Sequence, residues 1–288
     1  MERERWLQMY RAAVRLDKVS CRGIFSAAAI LGVLFWSVLH DRPVRWACRV
    51  ENWPPGLWRG TLPSQATMSR RLRDPRVRRL LDSVERSLEA ETTAQVKIID
   101  AKPLPVGGHS RDADVGWGRG VRGPAKGYKF YAIWSVGGLR PIAWRLAPMY
   151  VSEQAMALEM IAELDGAGTL LGDSLYDINK LYEAAAAVRH QLLARRKRPN
   201  TGLGHCRHSP HRLRGLALLE TASGRACYAQ REQIERHFGG LTNFGGGLSP
   251  LPAWVRRKQR VEIWVQTKLV INAYRLQNLR QKQTPAIA

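Results

Sequence analysis

Acidic residues are scarce. Against 46 Lys and Arg the 288-residue chain sets only 24 Asp and Glu, a formal net charge of +22. That excess excludes a charge-balanced surface and makes a polyanion the default partner. Cysteine is scarcer still: Cys21, Cys48, Cys206 and Cys227 form no CxxC pair and follow no secretory leader. A disulfide framework is therefore not expected, and a reducing, cytoplasmic setting is. No apolar run is long enough for a bilayer. The longest, Ile24 to Leu39, has 16 residues and contains Ser26 and Ser37, short of the ~20 that a span requires. It reads as a buried core helix, with no membrane partner. What is present is a content of 45% apolar and 24% charged residues, ordinary for a chain that folds around a core.

Residues 60–89 carry the pattern of short basic helices. Ser64 is placed as the N-cap of a helix through Leu72, and Asp74 before Pro75 gives the cap and first turn of a second. Six arginines and one aspartate fall within residues 70–79, Arg70 and Arg71 among them. A helix-turn-helix that touches DNA satisfies this pattern, and so does the solvated arginine-rich face of a scaffold helix. Residues 1–90 as a whole read as an all-helical, DNA-binding region.

From Thr93 the texture is mixed α/β. VKIID (96–100) reads as an apolar strand ending in a carboxylate, followed by a Gly-rich loop. YKFYAIWSV and RPIAWRL flank Gly137-Gly138 as a hairpin, Ser152 to Leu164 reads as a capped helix, and TLLGD (169–173) as a second buried strand ending in a carboxylate. A helix over LYEAAAAV and a strand over QLLA follow, so the order suits a mixed sheet with helices on its faces. Residues 195–214 read as a basic loop, with helix resuming from Tyr228. After the Gly245–Gly247 break a last helix is expected from about Ala253 to Leu279. Val261, Trp264, Val265, Leu269, Ala273 and Leu276 form its apolar stripe, leaving the opposite face for phosphate.

Two motifs carry little. The run from Gly118 to Gly123 spells G-x-G-x-x-G, but no helix follows it, so it reads as a flexible basic loop. His205, Cys206, His208 and His211 match no common zinc spacing. Asp112, Asp114 and Asp177 read as loop or capping acids.

Asp100 and Asp173 are more informative, because strand C-termini in α/β sheets converge where ligands bind. Glu235, between Arg231 and Arg236, supplies a third acid. Mg²⁺ takes oxygen ligands, and two such ions ~4 Å apart can activate a nucleophile and stabilise the leaving oxygen of a phosphodiester.

The residues around these acids resemble a known family. IIDAKPL around Asp100, LLGDSLYD around Asp173, and Y-x(2)-R-x(3)-E as Tyr228, Arg231 and Glu235 resemble the DDE transposases of bacterial insertion sequences, specifically the insertion sequence four group. So do HDRPVRWACRVENWP near the start and the long phrase from Ile234 to Arg275. The resemblance implies a ribonuclease-H-like catalytic domain over residues 91–282 with a short tail at 283–288. In it Asp100, Asp173 and Glu235 would bind two Mg²⁺ ions, with Mn²⁺ as an alternative. Tyr228 and Arg231 would contact DNA backbone near the scissile phosphate. The family pattern has a Lys seven residues after the Glu, where this chain has Thr242. Arg236, Arg256 or Lys258, with Arg257 beside them, are the residues expected to supply that phosphate contact.

The implied activity is cleavage at the terminal inverted repeats of a mobile element and transfer of the 3′-OH into target DNA, by a homodimer that pairs two ends. Two rivals are a nuclease of the same fold without strand transfer and a sequence-specific DNA-binding protein with an inactive site.

Overall fold

A computed structural model describes residues 2–18, 24–88, 94–205, 207–243, 248 and 251–283. Contacts divide the chain into two compact units, Met1–Glu89 with Leu241–Ala288, and Ala90–Gly240. Residues from Leu241 onward thus belong to the same unit as the N-terminal helices.

The first unit opens with α1 (Glu2–Leu16), α2 (Ala27–Leu39), α3 (Val44–Ala47), α4 (Gln65–Arg71) and α5 (Pro75–Arg86). In α2 every residue except Ala29 is buried, as a helix apolar on all sides must be. Among the described residues no helix is long and apolar enough to cross a membrane. Gly32, in the middle of α2, is there for close approach: the Trp6 indole donates to its carbonyl at 2.8 Å, and a Cβ would lie 2.8 Å from the Tyr10 ring. The expected caps form. The Ser64 hydroxyl accepts the Thr67 N–H at 3.2 Å, and the Asp74 carboxylate accepts that of Arg76 at 2.9 Å. Half of the arginine cluster is ion-paired within the unit: Arg71 with Asp74, Arg76 with Asp17 and Arg78 with Glu262, at 3.6, 3.0 and 3.8 Å. Arg70, Arg73 and Arg79 face solvent.

The second unit contains β1 (Val96–Pro105), β2 (Gly116–Gly120), β3 (Gly123–Ser135), β4 (Ala143–Pro148), α6 (Glu153–Ile161), β5 (Gly168–Gly172), α7 (Asn179–Ala187), β6 (His190–Ala194), α8 (Pro210–Glu220) and α9 (Ala222–Ala229). Its sheet runs β2-β3-β1-β5-β6, with β4 also on β3. β1 is antiparallel to β3 and parallel to β5, and β5 is parallel to β6. This is the expected ribonuclease-H-like arrangement, a mixed sheet with flanking helices behind an all-helical N-terminal region.

Three local expectations are corrected. β1 does not end at Asp100 but continues to Pro105 along β3. Pro103 and Pro105 fit because pairing with β5 stops at Ile98, so that part of β1 is an edge whose missing N–H groups leave no ladder bond unmade. The G-x-G-x-x-G run is not a loop: Gly120 pairs with Gly123 across a two-residue turn, making β2 and β3 a hairpin. Helix also returns earlier than Tyr228, at Pro210 after Ser209.

α10 (Glu232–Asn243) leads out of the second unit, and α11 (Lys258–Gln283) packs on α1, α2 and α5. The Gly245–Gly247 break and residues 284–288 lie outside the described residues, as does the side chain of Thr242. The expected apolar stripe of α11 is buried from Val261 to Ala273, with Leu276 half-buried. Its opposite face is not free for phosphate, because Ile263 through Tyr274 are buried on all sides. The polar residues there have partners. Gln266 donates to Asp82 and Glu85 at 2.7 and 2.8 Å, Thr267 to the Ile263 carbonyl at 2.7 Å, and the Lys268 ammonium to Asp41 at 2.6 Å. Such pairing makes the burial of polar groups tolerable.

Candidate active site

Register builds the site. Ile98 of β1 pairs with Leu171 of β5, an offset of 73 residues that also separates Asp100 from Asp173. Leu171 pairs in turn with Leu193 of β6, an offset of 22 that also separates Asp173 from Arg195. Asp100 and Asp173 each lie two residues past the last β1–β5 pair, and Asp173 and Arg195 directly follow the last β5–β6 pair, Gly172 with Ala194. Ligands collect at such C-terminal strand ends.

The surroundings of Asp100 are unusual for a carboxylate. Burial pushes it up to about 7, helped by the negative charges of Asp173 and Glu153. The Ala101 N–H, which donates to it at 2.8 Å, and the positive charge of Arg231 act in the opposite direction. Asp173 caps the 3-10 turn Ser174–Tyr176 by accepting the Leu175 N–H at 2.8 Å. That turn buries Tyr176, whose phenol is held well above its usual range first by burial and then by Asp100, Glu153 and Asp173.

The third acid stands apart. Glu235 lies in the first turn of α10 with its side chain 66% exposed, paired with Arg231 at 3.4 Å. Its charge is not among those that act on Asp100. Tyr228 does not share a helix with Glu235, because the chain breaks at Gln230 and Arg231 between α9 and α10. Instead Tyr228 is buried, donates its hydroxyl to the Gly172 carbonyl at 3.1 Å, and lies 5.0 Å beneath the Arg195 guanidinium. Asp173, Ser174, Arg195, Tyr228, Arg231 and Glu232 line a cleft of about 230 Å³.

Among the described residues, no three His, Cys, Asp or Glu side chains are grouped so as to hold a metal ion. Asp100 and Asp173 nonetheless suit a hard divalent cation: they are oxygen donors, and the negative charge of Asp173 helps to raise Asp100, a repulsion that a bound cation would relieve. Glu235 is exposed and pairs instead with Arg231. Arg236 is exposed on α10; Arg256, Arg257 and Lys258 are exposed ahead of and at the start of α11, in the other unit, as is Arg70 on α4.

Two residues of the site escape the sequence reading. Arg195 directly follows the apolar QLLA run, just as Asp173 follows TLLG, and that parallel was the available signal. Glu153, whose charge reaches Asp100 and which pairs with Lys129 at 2.8 Å, has no sequence signal beyond its place in a first helical turn. Asp177 is the C-cap of the Ser174–Tyr176 turn, as a capping acid should be, but it is not loop-solvated. It is buried and bound by Arg212 at 2.7 and 2.8 Å. Asp112 is also buried, accepting the Tyr128 hydroxyl at 2.8 Å as well as the Asp114 N–H expected of a turn aspartate. Of the discounted zinc set, Cys206 lies outside the described residues, and His208 meets Arg212 at 2.9 Å.

No curated protein and no solved structure matches the chain. Residues 91–267, more than half of it, match the family described as the transposase DDE domain. That span includes Asp100 within β1, Asp173 at the end of β5, the cleft beside Asp173, and Glu235. The chain belongs to the transposase DDE domain family.

Proposed function

We propose that this chain is a transposase of the insertion sequence four group, which cuts DNA at the terminal inverted repeats of its element and joins the released 3′-OH to target DNA. The observation that carries this reading is that Asp100 and Asp173 each lie two residues beyond the paired Ile98 and Leu171 of adjacent parallel strands, inside a segment of the transposase DDE domain family. In this reading Asp100, Asp173 and Glu235 hold two Mg²⁺ ions, or Mn²⁺. Bound there, the ions would supply Lewis-acid stabilisation of the charge that develops on phosphoryl oxygens.

The remaining work falls to side chains of the chain. Arg195 and Arg231 give the cleft positive charge for a phosphate, and Tyr228 fixes Arg195 by its ring and the β5 end by its hydroxyl. Glu235 joins the aspartates when a DNA phosphate takes over Arg231. Breaking the Arg231–Glu235 pair costs little, because exposed ion pairs contribute only about 0–1 kcal/mol. Arg70, Arg71, Arg236, Arg256, Arg257 and Lys258 add sequence-independent phosphate affinity, so binding falls steeply with salt. The protein acts in the cytoplasm as a homodimer on paired ends.

The test is a labelled terminal repeat incubated with Mg²⁺ and target DNA. Cleaved and joined products are expected from the natural chain and neither from Asp100→Asn. Cleavage without joining identifies the nuclease, binding without either identifies the inactive DNA-binding protein, and equal activity in Asp100→Asn overturns the site.

A further inference from the structure

The first unit contains a larger cleft that the catalytic reading does not use, about 840 Å³ in volume. Its walls come from α2, α3, α4, α5 and the start of α11. Arg42, Arg45, Arg73, Arg78, Arg257 and Arg260 line it, and among the described lining residues Glu262 is the only acid. All of these arginines except the half-buried Arg78 are exposed. Glu262 is itself drawn into pairs with Arg78 and Lys258 at 3.8 and 3.7 Å. The cleft therefore carries a strong positive excess.

Two further features narrow the ligand. The lining is apolar as well as basic, with Leu34, Val38, Val44, Ile263 and Trp264, and Trp254, which also lines it, is 45% exposed. Arg257 is held at φ 71°, a left-handed conformation costly for a residue with a side chain, while its carbonyl accepts the first N–H bonds of α11. Such strain persists where the surroundings impose it, and it sets Arg257 on the cleft wall. A DNA duplex hides its base faces and offers phosphates to a basic surface, so it has no use for an apolar, aromatic recess. An unpaired strand does, because its bases stack on aromatic side chains while arginines follow the backbone.

We infer that this cleft binds a short unpaired stretch of DNA, with a base on Trp254 and the phosphates on the surrounding arginines. The inference rests on the proposed function only for the polymer being DNA; the binding itself needs neither Asp100 nor a metal ion.

The test uses the full chain and fluorescence anisotropy, with a labelled oligothymidylate 12-mer and a duplex of the same length as probes. Trp254→Ala is expected to weaken oligothymidylate binding by at least about 5-fold, the low end for loss of one stacked base, with duplex binding unchanged. Trp254→Phe should keep most of the affinity, which separates stacking from misfolding. Arg42→Ala with Arg73→Ala should reduce the salt slope for the single strand by about 1.4, the value for two phosphates. Equal weakening of both probes by Trp254→Ala, or no weakening of either, overturns the inference. Asp100→Asn should bind oligothymidylate like the natural chain, so loss of cleavage in that variant leaves this result independent.

Discussion

Asp100 and Asp173 each lie two residues beyond the Ile98–Leu171 pair of neighbouring parallel strands, and burial has moved the Asp100 carboxyl up to about 7. An acid whose folded pKa is raised keeps its proton in the native state at pH values where the unfolded chain has lost it. Its contribution to stability is present in full at the acid end and disappears as pH rises through about 7. Asp100→Asn removes this dependence. Thermal melts at pH 5 and pH 8 should show the variant gaining on the natural chain at the higher pH.

Divalent ions bind the ionised carboxylate, so their effect should follow the same titration. The rise in melting temperature on adding Mg²⁺ should be larger at pH 8 than at pH 6. It should vanish in Asp100→Asn.

Arg231 holds Glu235 and also lowers the pKa of Asp100. Arg231→Gln should therefore move the Asp100 titration to higher pH, read from the carboxyl carbon signal by NMR. The pH needed for the Mg²⁺ effect should move in the same direction.

The Asp177–Arg212 pair is structural. Arg212→Ala strands a carboxylate that is only 2% exposed in its side chain, and removing one partner of a buried pair costs about 3–5 kcal/mol. Urea unfolding should show that loss. Arg212→Lys, which lacks the two-pronged geometry, should recover only part of it.

Close packing at Gly32 gives a prediction in the first unit. The Cβ of Gly32→Ala would meet the Tyr10 ring at 2.8 Å. Overpacking of this kind costs about 1–3 kcal/mol, more than the helix propensity gained, so the melting temperature should fall.

Elements defined by local chemistry were legible in the sequence. Ser64, Asp74 and Pro75 mark the ends of α4 and α5 because caps depend on a few adjacent residues. The apolar runs of β5 and β6 stand out because parallel strands are buried on both faces. Elements decided by distant partners were not legible. Gln266, Thr267, Lys268 and Asn272 of α11 read as a polar face, and only the placement of groups such as Asp82, Glu85 and Asp41 allows them to be buried. The site divides in the same way: Asp100 and Asp173 follow from strand pattern, whereas Glu235's attachment to Arg231 depends on where α9 gives way to α10.

The most direct measurement of the central claim replaces Asp173 by cysteine and compares terminal-repeat cleavage in Mg²⁺ and in Mn²⁺. A thiolate is a poor ligand for Mg²⁺ and a better one for Mn²⁺. If Asp173 holds the catalytic ion, Asp173→Cys loses cleavage in Mg²⁺ and regains it in Mn²⁺. Undiminished cleavage by Asp173→Cys in Mg²⁺ would contradict the claim.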